Sequence, residues 1–338
     1  MSAEIDWLRD ADVAALQVFI DDNWRPGHVL ARDPALLRWQ YRYPQRPDLL
    51  SVLGASEDGQ LVAFLGLVQA DFAVDGKRAR GAWLAMWHAT PEARTRRVGL
   101  ALLVEALRLP FAAVACLGMN EAAVRIYTGL GFEYVPRLPR WVRPLASEPL
   151  AALVPGAETW QAPAPGEVAP EPGAFDDVRA AAWDEVWTTR FVPQLTGTWR
   201  DAAYLRSRYL EHPSFDYAVR LSSDGDALLV YRVEQVRYRE ERVLRVVECL
   251  GPAEPLIAAM LDEHPEAAFA DFYCMDTTAA RALERVGFVR EEALPAPVPE
   301  RFQPLEPPGR GLNGVFRIPL SGRSLYCTKS DGDQDRPG

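Results

Sequence analysis

The stretch Ala82-Trp-Leu-Ala-Met-Trp-His-Ala89 decides the fold, because it is an apolar run with the length and bulk of a buried strand. Thr90-Pro-Glu92 ends it. The chain continues with a turn that carries three arginines, a helix with leucines at helical spacing, a second apolar strand and a second helix, over 93–99, 100–107, 111–117 and 120–127. This order predicts a βαβ unit.

The turn between the strand and the first helix predicts an anion site. A helix N-terminus carries unpaired N–H groups and a partial positive charge, which together favour phosphate. Arg94, Arg96 and Arg97 add full charges, and Gly99 lets the backbone come close to a ligand.

Two motifs of this region resemble the GNAT acyltransferase superfamily, whose members transfer an acyl group from coenzyme A. The first, Pro91-Glu-Ala-Arg-Thr-Arg-Arg-Val-Gly99, is similar to the family's pyrophosphate loop: Arg or Gln, two residues, Gly, one residue, Gly or Ala. Aligned on Gly99, the loop has Arg97 in place of the first glycine. A second register, Arg96-x-x-Gly99-x-Ala101, fits the pattern but displaces the helix leucines.

The second motif, Asn120-x-x-Ala123-x-x-x-Tyr127-x-x-x-Gly131-Phe132, resembles the acceptor-side helix of the same superfamily. The pair in this order and separation is more specific than either motif alone. The resemblance implies that acetyl-coenzyme A, or another acyl-coenzyme A, is the cofactor. The residues that it implies for cofactor binding are Trp87, Ala89, Arg94, Arg96, Arg97, Val98, Gly99, Leu100, Ala101 and Asn120.

The resemblance also assigns roles around the thioester. The backbone around Trp87 and Ala89 is expected to pair with the pantetheine arm and to offer an N–H to the carbonyl, where two strands splay apart. Tyr127 is the predicted general acid, because a phenol within hydrogen-bond reach neutralises the thiolate as it leaves. Asn120 binds the pantetheine or caps the helix, since Asn is a strong N-cap.

The general base is less well defined by the sequence. Several family members carry a Glu on the strand before the loop, and Trp83 occupies that position here. His88 is the predicted base, because an imidazole titrates in the right range. Strand alternation places His88 on the face opposite Trp83, Trp87 and Ala89. Asp71, Tyr41 or a bound water are the alternatives.

The acceptor side has one further candidate, the segment Trp39-Gln-Tyr-Arg-Tyr-Pro44. Asp33-Pro34 predicts the start of its helix, with Asp as the cap and Pro in the first turn. Aromatic and amide groups suit a platform for a sugar or a nucleotide, and a packed amphipathic helix explains the same pattern. Strands are predicted from Leu49 to Ala55 and from Gln60 to Phe72.

The second half of the chain repeats the first in a degraded form. Residues 201–209 match 33–41, and residues 275–288 match 119–132, in the same order. No arginine-and-glycine loop comes after the strand at 243–250, and Leu283 stands in the place of Tyr127. The second copy is therefore expected to keep the fold without a cofactor site.

The predicted fold class is α/β, as two tandem GNAT-like domains, each a mixed, mostly antiparallel twisted sheet flanked by helices. Five prolines among small residues predict a stiff linker between the two domains. The polar end of the chain predicts disorder. The boundaries are 1–144 for the catalytic domain, 145–174 for the linker, 175–328 for the degenerate domain and 329–338 for the tail.

Composition limits the functional classes. The net charge of −10 argues against binding to nucleic acid, and no run of about 18 apolar residues predicts a membrane helix. Four scattered cysteines suggest neither zinc nor a disulfide framework, and no signal peptide is visible, which favours a cytoplasmic location.

The predicted function is transfer of an acyl group, acetyl in the first place, to the primary amine of a small molecule, with amino sugars among the candidates. No Cys–His or Ser–His pair is placed for a covalent intermediate, so direct attack in a ternary complex is expected. The alternatives are a non-catalytic acyl-coenzyme A sensor and an enzyme that acylates a protein or peptide. The expected assembly is a monomer or a homodimer.

Overall fold

The computed structural model describes residues 3–309 and 311–335, and the chain divides into two units. The first unit combines Met1–Val135, Gly314–Pro319 and Asp331–Pro337, and the second combines Pro136–Asn313 and Leu320–Ser330. Both ends of the chain therefore contribute to the first unit. Strands and helices are numbered along the whole chain, and each unit is described by itself.

The first unit is built on a mixed, mostly antiparallel sheet. Its strands are β1 (Glu4–Arg9), β2 (Leu49–Glu57), β3 (Gln60–Val74), β4 (Lys77–Ala89), β5 (Ala113–Leu117), β6 (Glu133–Val135) and β14 (Gly314–Arg317). They pair in the order β1-β2-β3-β4-β5-β14-β6. Only the β4–β5 pairing is parallel among these described neighbours. The predicted hairpin strands and the βαβ unit are present.

Helices cover both faces of this sheet. They are α1 (Val13–Phe19), α2 (Val29–Arg32), α3 (Pro34–Gln40), α4 (Pro91–Thr95), α5 (Val98–Arg108) and α6 (Glu121–Gly129). One buried cluster joins the sheet to α5 and α6, and another joins it to α1, α2 and α3. Asp33 caps α3 by accepting the Leu36 N–H at 2.9 Å, and Pro34 lies in the first turn, as predicted.

Strands β4 and β5 separate partway along their length. Their pairing runs from Gly81–Ala113 to Leu84–Cys116, whereas β4 stays paired with β3 as far as Ala89. A bulge lies between these two regions of β4, where Met86 has a φ of 49°. A bulge bends a strand and strengthens its local twist. Beyond Leu84 the edge of β4 is no longer paired with β5, and this gap is called the splay below.

The second unit contains a similar mixed sheet. Its strands are β7 (Arg140–Pro144), β8 (Leu195–Thr198), β9 (Ala218–Leu221), β10 (Leu228–Gln235), β11 (Arg242–Leu250), β12 (Phe269–Tyr273), β13 (Val289–Arg290) and β15 (Ser324–Leu325). The helices are α7 (Ser147–Leu153), α8 (Asp177–Val186), α9 (Ala202–Leu205), α10 (Glu254–Glu263) and α11 (Thr277–Arg285). The main sheet has the order β13-β7-β12-β11-β10-β9, and β11–β12 is parallel.

Both units share one local succession of elements. The order β4, α5, β5, α6 in the first unit corresponds to β11, α10, β12, α11 in the second. In each unit the parallel pair is followed by a strand from a distant part of the chain, β14 in the first and β7 in the second. The predicted class, twisted mixed sheets flanked by helices, is confirmed.

The unit boundaries differ from those predicted. Strand β7 lies before residue 144 but pairs with β12 and β13, so it belongs to the second unit. The predicted linker 145–174 contains helix α7, and its buried residues Leu150, Leu153 and Val154 join the core of that unit. The prolines come after this helix instead of keeping the whole segment extended.

The end of the chain also differs from its predicted disorder. Asp331, Asp333 and Asp335 are buried within the first unit, and Lys329 and Ser330 belong to the second. The polar composition of this segment predicts exposure to solvent, but the folded chain buries these three carboxylates. The remainder of the predicted tail, 336–338, lies outside the described residues.

Candidate functional site

The start of α5 forms the first part of the candidate site. Arg97 is the N-cap, with a φ of 61°, and its side chain forms no capping hydrogen bond. The first-turn N–H groups of an α-helix have no partner within the helix, so they are available to an anion. Glycine adopts a φ of this sign more easily than arginine does. This conformation agrees with the register that aligns Arg97 with the family's first glycine.

The three arginines of the turn are all exposed, but their contacts differ. The Arg96 guanidinium forms an ion pair with Glu57 at 2.7 Å, and Arg94 donates to the Ala89 carbonyl at 3.1 Å. Arg94 and Arg96 therefore brace the turn against β2 and β4. An anion at the start of α5 would meet positive charge on one side of the helix.

Trp87 links the end of β4 to the start of α5. Its indole Nε1 donates to the Gly99 carbonyl at 2.9 Å. A Cβ added at Gly99 would lie 3.1 Å from that same Nε1, which is closer than ordinary van der Waals contact. The absence of a side chain at position 99 thus allows the strand and the helix to approach this closely.

The backbone of β4 presents hydrogen-bonding groups to the splay. Thr90 N–H donates to the Val62 carbonyl of β3 at 2.9 Å. Because successive N–H groups of a strand point to opposite edges, those of Ala89 and Trp87 point away from β3, toward the side that β5 has left. The structure thus places these two predicted residues where an extended ligand could pair with the strand.

Helix α6 carries Tyr127 into the same region. Asn120 is its N-cap, and its side chain accepts the Ala123 N–H at 2.9 Å. The Tyr127 ring is 1% exposed and lies edge-on to Trp87, with ring centroids 5.8 Å apart. Burial raises the pKa of Tyr127 well above its usual value, and Cys116 and the Asp333 charge raise it further. The phenol therefore stays protonated and is able to donate.

Cys116 is a partner of Tyr127 that the sequence did not identify. It lies on β5 in the same buried cluster as Tyr127, and each of the two side chains affects the pKa of the other. Burial, with a contribution from Asp333, raises the pKa of the Cys116 thiol to about 12. A thiol with so high a pKa is a poor nucleophile at neutral pH. The one signal in the sequence is the alternation of side chains along β5, which places Cys116 on the face that packs against α5 and α6.

His88 lies on the other face of the sheet. Its ring contacts Trp24 and Phe19, at 5.3 and 6.1 Å between centroids. Burial lowers the pKa of His88, and Arg94 lowers it further, so the imidazole is neutral at pH 7. His88 faces away from Trp87 and Ala89, as predicted, because those two residues pack in the cluster that joins the sheet to α5 and α6.

The predicted placement of His88 opposite Trp83 is wrong. Ala82 and Leu84 face α5 before the bulge, whereas Trp87 and Ala89 face α5 after it. The extra residue, Met86, inverts the alternation. His88 therefore shares a face with Trp83, which stacks on Phe72 with centroids 5.7 Å apart.

The other acceptor-side candidates have mainly structural surroundings. Tyr41 is fully buried, and a Cβ at Gly66 would lie 2.3 Å from its ring. Gln40 is also buried, and Trp39 packs against the α1–α3 cluster, as expected for a packed amphipathic helix. Asp71 forms an ion pair with Arg78 at 2.7 Å.

The second unit lacks these features at the corresponding place. Helix α10 begins with Glu254, which forms an ion pair with Arg285 at 3.1 Å, and a carboxylate there repels an anion. The Cys249 N–H near the end of β11 donates to the Tyr326 hydroxyl at 3.0 Å. Residues of this unit thus fill the space beside β11 that would receive a ligand.

Comparisons with known proteins agree with this geometry. Residues 27–135, which lie in the first unit, match the model of a family described as an acetyltransferase (GNAT) domain. The match covers part of the chain and does not reach the second unit. No curated protein matches the chain.

Solved structures with low sequence identity show a similar fold. A GCN5-related N-acetyltransferase from Anabaena variabilis is 11% identical, with a TM-score of 0.62, over 95% of this chain and 75% of that one. One from Kribbella flavida is 15% identical, with a TM-score of 0.57, over 95% and 74%. Saccharomyces cerevisiae N-myristoyltransferase with bound myristoyl-CoA is 12% identical, with a TM-score of 0.53, over 93% and 82%.

Metal-ligating groups and membrane-spanning helices are both absent from the described part of the chain. Within 3–309 and 311–335, no group of three or more His, Cys, Asp or Glu residues is placed to hold a metal ion. None of the helices described is long and apolar enough to cross a membrane.

Proposed function

We propose that the first unit transfers an acyl group, acetyl in the first place, from acyl-coenzyme A to the primary amine of a small molecule. One observation carries the proposal: Tyr127, buried and protonated, lies beside Trp87 at a splay between β4 and β5, next to the open start of α5. The matching acetyltransferase (GNAT) domain at 27–135 supports the same class of reaction.

The residues present fit coenzyme A. Its pyrophosphate would rest on the N–H groups at 98–100, since the N–H groups of Arg97 and Ala101 donate to the Arg94 and Arg97 carbonyls, with Arg94, Arg96 and Arg97 supplying positive charge. Its pantetheine arm would pair with the β4 backbone at Trp87 and Ala89. Asn120 serves this site as the cap of α6, which fixes the position of Tyr127. When bound, the coenzyme supplies the activated acyl group as a thioester.

Tyr127 is proposed as the general acid. Its hydroxyl hydrogen would pass to the leaving sulfur, so that a thiolate need not be released. The raised pKa of Tyr127 keeps this proton in place between turnovers. A general acid of this kind contributes a factor of roughly 10² to 10⁴ in rate.

Direct attack by the amine is proposed in place of a covalent enzyme intermediate. Cys116 is the thiol nearest to this chemistry, and its pKa of about 12 disfavours the thiolate. His88, neutral because burial lowers its pKa, is the candidate base on β4. It lies on the sheet face that carries Trp83.

The second unit is proposed to be a degenerate copy of the first. The shared element order supports this, as do Glu254 at the start of α10 and Leu283 at the position of Tyr127. The Tyr326 hydroxyl also accepts the Cys249 N–H, a backbone group of β11 that a pantetheine arm would otherwise need.

A thiol-release assay tests the function. The full chain is incubated with acetyl-coenzyme A and, separately, with glucosamine, spermidine and a lysine-containing peptide, and free thiol is followed with time. We expect turnover with glucosamine or spermidine. Binding of acetyl-coenzyme A without turnover on any amine would support a sensor. Turnover on the peptide alone would support a protein acyltransferase.

A further inference from the structure

The segment Asp331–Asp335 is an unusual part of the first unit, because it buries three carboxylates. Asp331, Asp333 and Asp335 are 1%, 5% and 2% exposed. Aspartate is almost never fully buried unless it is paired. A segment with this composition is enclosed only where the fold holds it in place.

The segment lies at the mouth of the splay between β4 and β5. A Cβ added at Gly332 would lie 3.3 Å from Cβ of Trp83. Trp83 directly precedes Leu84, the last residue of β4 that pairs with β5. A Cβ added at Gly118, directly after β5, would lie 2.4 Å from the Gln334 side-chain oxygen. The segment thus contacts both strands where they part.

The contact with Trp83 defines the face from which the segment approaches. Leu84 and Cys116 turn toward α5 and α6, so Trp83 turns to the opposite face. The proposed anion site at the start of α5 lies on the face of Leu84 and Cys116. The segment therefore approaches the splay from the side opposite the proposed coenzyme, which is the side left for an acceptor.

Asp333 is the member of the segment whose charge acts on Tyr127 and Cys116. Its negative charge raises the pKa of both Tyr127 and Cys116, so the carboxylate lies within electrostatic range of the proposed general acid. The Gln334 amide donates to Asp333 Oδ1 at 2.7 Å and orients it. In the chain Asp333 stands between Gly332, which contacts Trp83, and Gln334, which contacts Gly118, so the segment holds it at the splay.

We propose that the Asp333 carboxylate binds the acceptor ammonium and removes its proton. This inference rests on the proposed acyl transfer and assigns to Asp333 the role that the sequence assigned to His88. The proton leaves the nitrogen for Asp333, and the nitrogen lone pair forms the C–N bond as the C–S bond breaks. Tyr127 gives its proton to the sulfur, and the proton held by Asp333 passes to water. The nitrogen loses its second proton as it becomes an amide, and this proton restores Tyr127 to its neutral form through water.

The first measurement compares Asp333→Asn with Asp335→Asn, which removes a charge from the same buried segment. The most active amine of the thiol-release assay is the acceptor. We expect Asp333→Asn to lower kcat by about 100-fold or more, with the acetyl-coenzyme A Kd within about twofold of wild type. Asp335→Asn is expected to keep kcat within about threefold. Equal losses in both variants would reduce the segment to a structural role and overturn the proposal.

A second measurement separates a base from a merely structural carboxylate. Hydrazine is a weaker base than an alkyl amine, and near pH 9 it is mostly neutral whereas an alkyl amine stays mostly protonated, so hydrazine needs no base to remove a proton before it attacks. We expect hydrazine to bring Asp333→Asn within about tenfold of wild type. A deficit as large as with the alkyl amine, or a deficit found in His88→Gln instead, would overturn the assignment.

Two controls cover the remaining outcomes. Asp333→Glu keeps the carboxylate, and it must turn over faster than Asp333→Asn, or the charge is irrelevant. If wild type turns over no amine, the proposed function itself fails. Asp333 is then tested by calorimetry, where Asp333→Asn must weaken spermidine binding to the coenzyme A complex at least tenfold. Unchanged binding would refute the role of Asp333.

Discussion

Tyr127 shows how the chemistry of a residue depends on its neighbours. The spacing of its motif resembles that of a catalytic tyrosine, but a half-buried helix tyrosine in a core would show the same spacing. Its burial in the cluster that joins the sheet to α5 and α6, and its proximity to Cys116, explain why its pKa is raised. A phenol that stays protonated is suited to donate a proton and unsuited to accept one.

Replacing Tyr127 with Phe tests this role at the residue scale. Because Phe keeps the ring and its packing on Trp87, Tyr127→Phe should lower kcat by about 100-fold while acetyl-coenzyme A binds almost as before. Steady-state kinetics gives the first quantity and calorimetry the second. Equal losses of turnover and binding would mean that the hydroxyl only supports the pocket.

At the scale of elements, the contact between β4 and α5 sets the geometry of the anion site. The bulge at Met86 turns Trp87 toward α5, and the indole then binds the Gly99 carbonyl. Neither the bulge nor this hydrogen bond is visible in the sequence. Residues 82–87 are all apolar, so an extra residue among them interrupts no alternation of apolar and polar side chains. The inverted face of His88 results from the same bulge.

Gly99→Ala and Gly129→Ala form a matched pair for this contact, since both glycines lie in helices. A methyl group at position 99 would lie 3.1 Å from Trp87 Nε1, so the indole must move. We expect Gly99→Ala to weaken acetyl-coenzyme A binding several-fold by calorimetry. Gly129 has no atom within 4 Å of its added Cβ, and Gly129→Ala should leave binding unchanged and stabilise the protein by up to about 1 kcal/mol. Equal effects on binding would contradict the role of the contact.

At the scale of the whole molecule, two units with a similar succession of elements differ in what occupies the parallel-strand edge. In the first unit the β4 backbone beyond Leu84 faces the splay, and the start of α5 is flanked by arginines. In the second unit Tyr326 binds the backbone at Cys249, and Glu254 begins the helix. One unit is therefore suited to an acyl-coenzyme A, and the other is filled by its own chain.

Hydrogen exchange distinguishes the two units in the full chain. Added coenzyme A should slow exchange across 97–101, because the N–H groups at 98–100 would bind the pyrophosphate. The amides at 251–256 should exchange at the same rate with and without it. Slower exchange at 251–256 would contradict a degenerate second unit, and unchanged exchange at 97–101 would contradict the proposed site.

The sequence by itself determined the local features of this protein. Strands β2 to β5, the helices between them, the cap at Asp33 and the cap at Asn120 result from apolar periodicity and from side chains that bond to nearby backbone. The class of fold and the turn at 94–99 rest on the same short-range information. These features depend on residues within a few positions of one another.

Only the tertiary structure decided which distant residues meet. The burial of Asp331–Asp335 beside Trp83, the pairing of β14 with β5, the partner of Tyr127 and the face of His88 all join segments far apart in the chain. The sequence predicts disorder for this acidic tail, because its residues have too little apolar surface to bury. Its position is instead set by the two strands that part at the splay, and no local pattern records that contact.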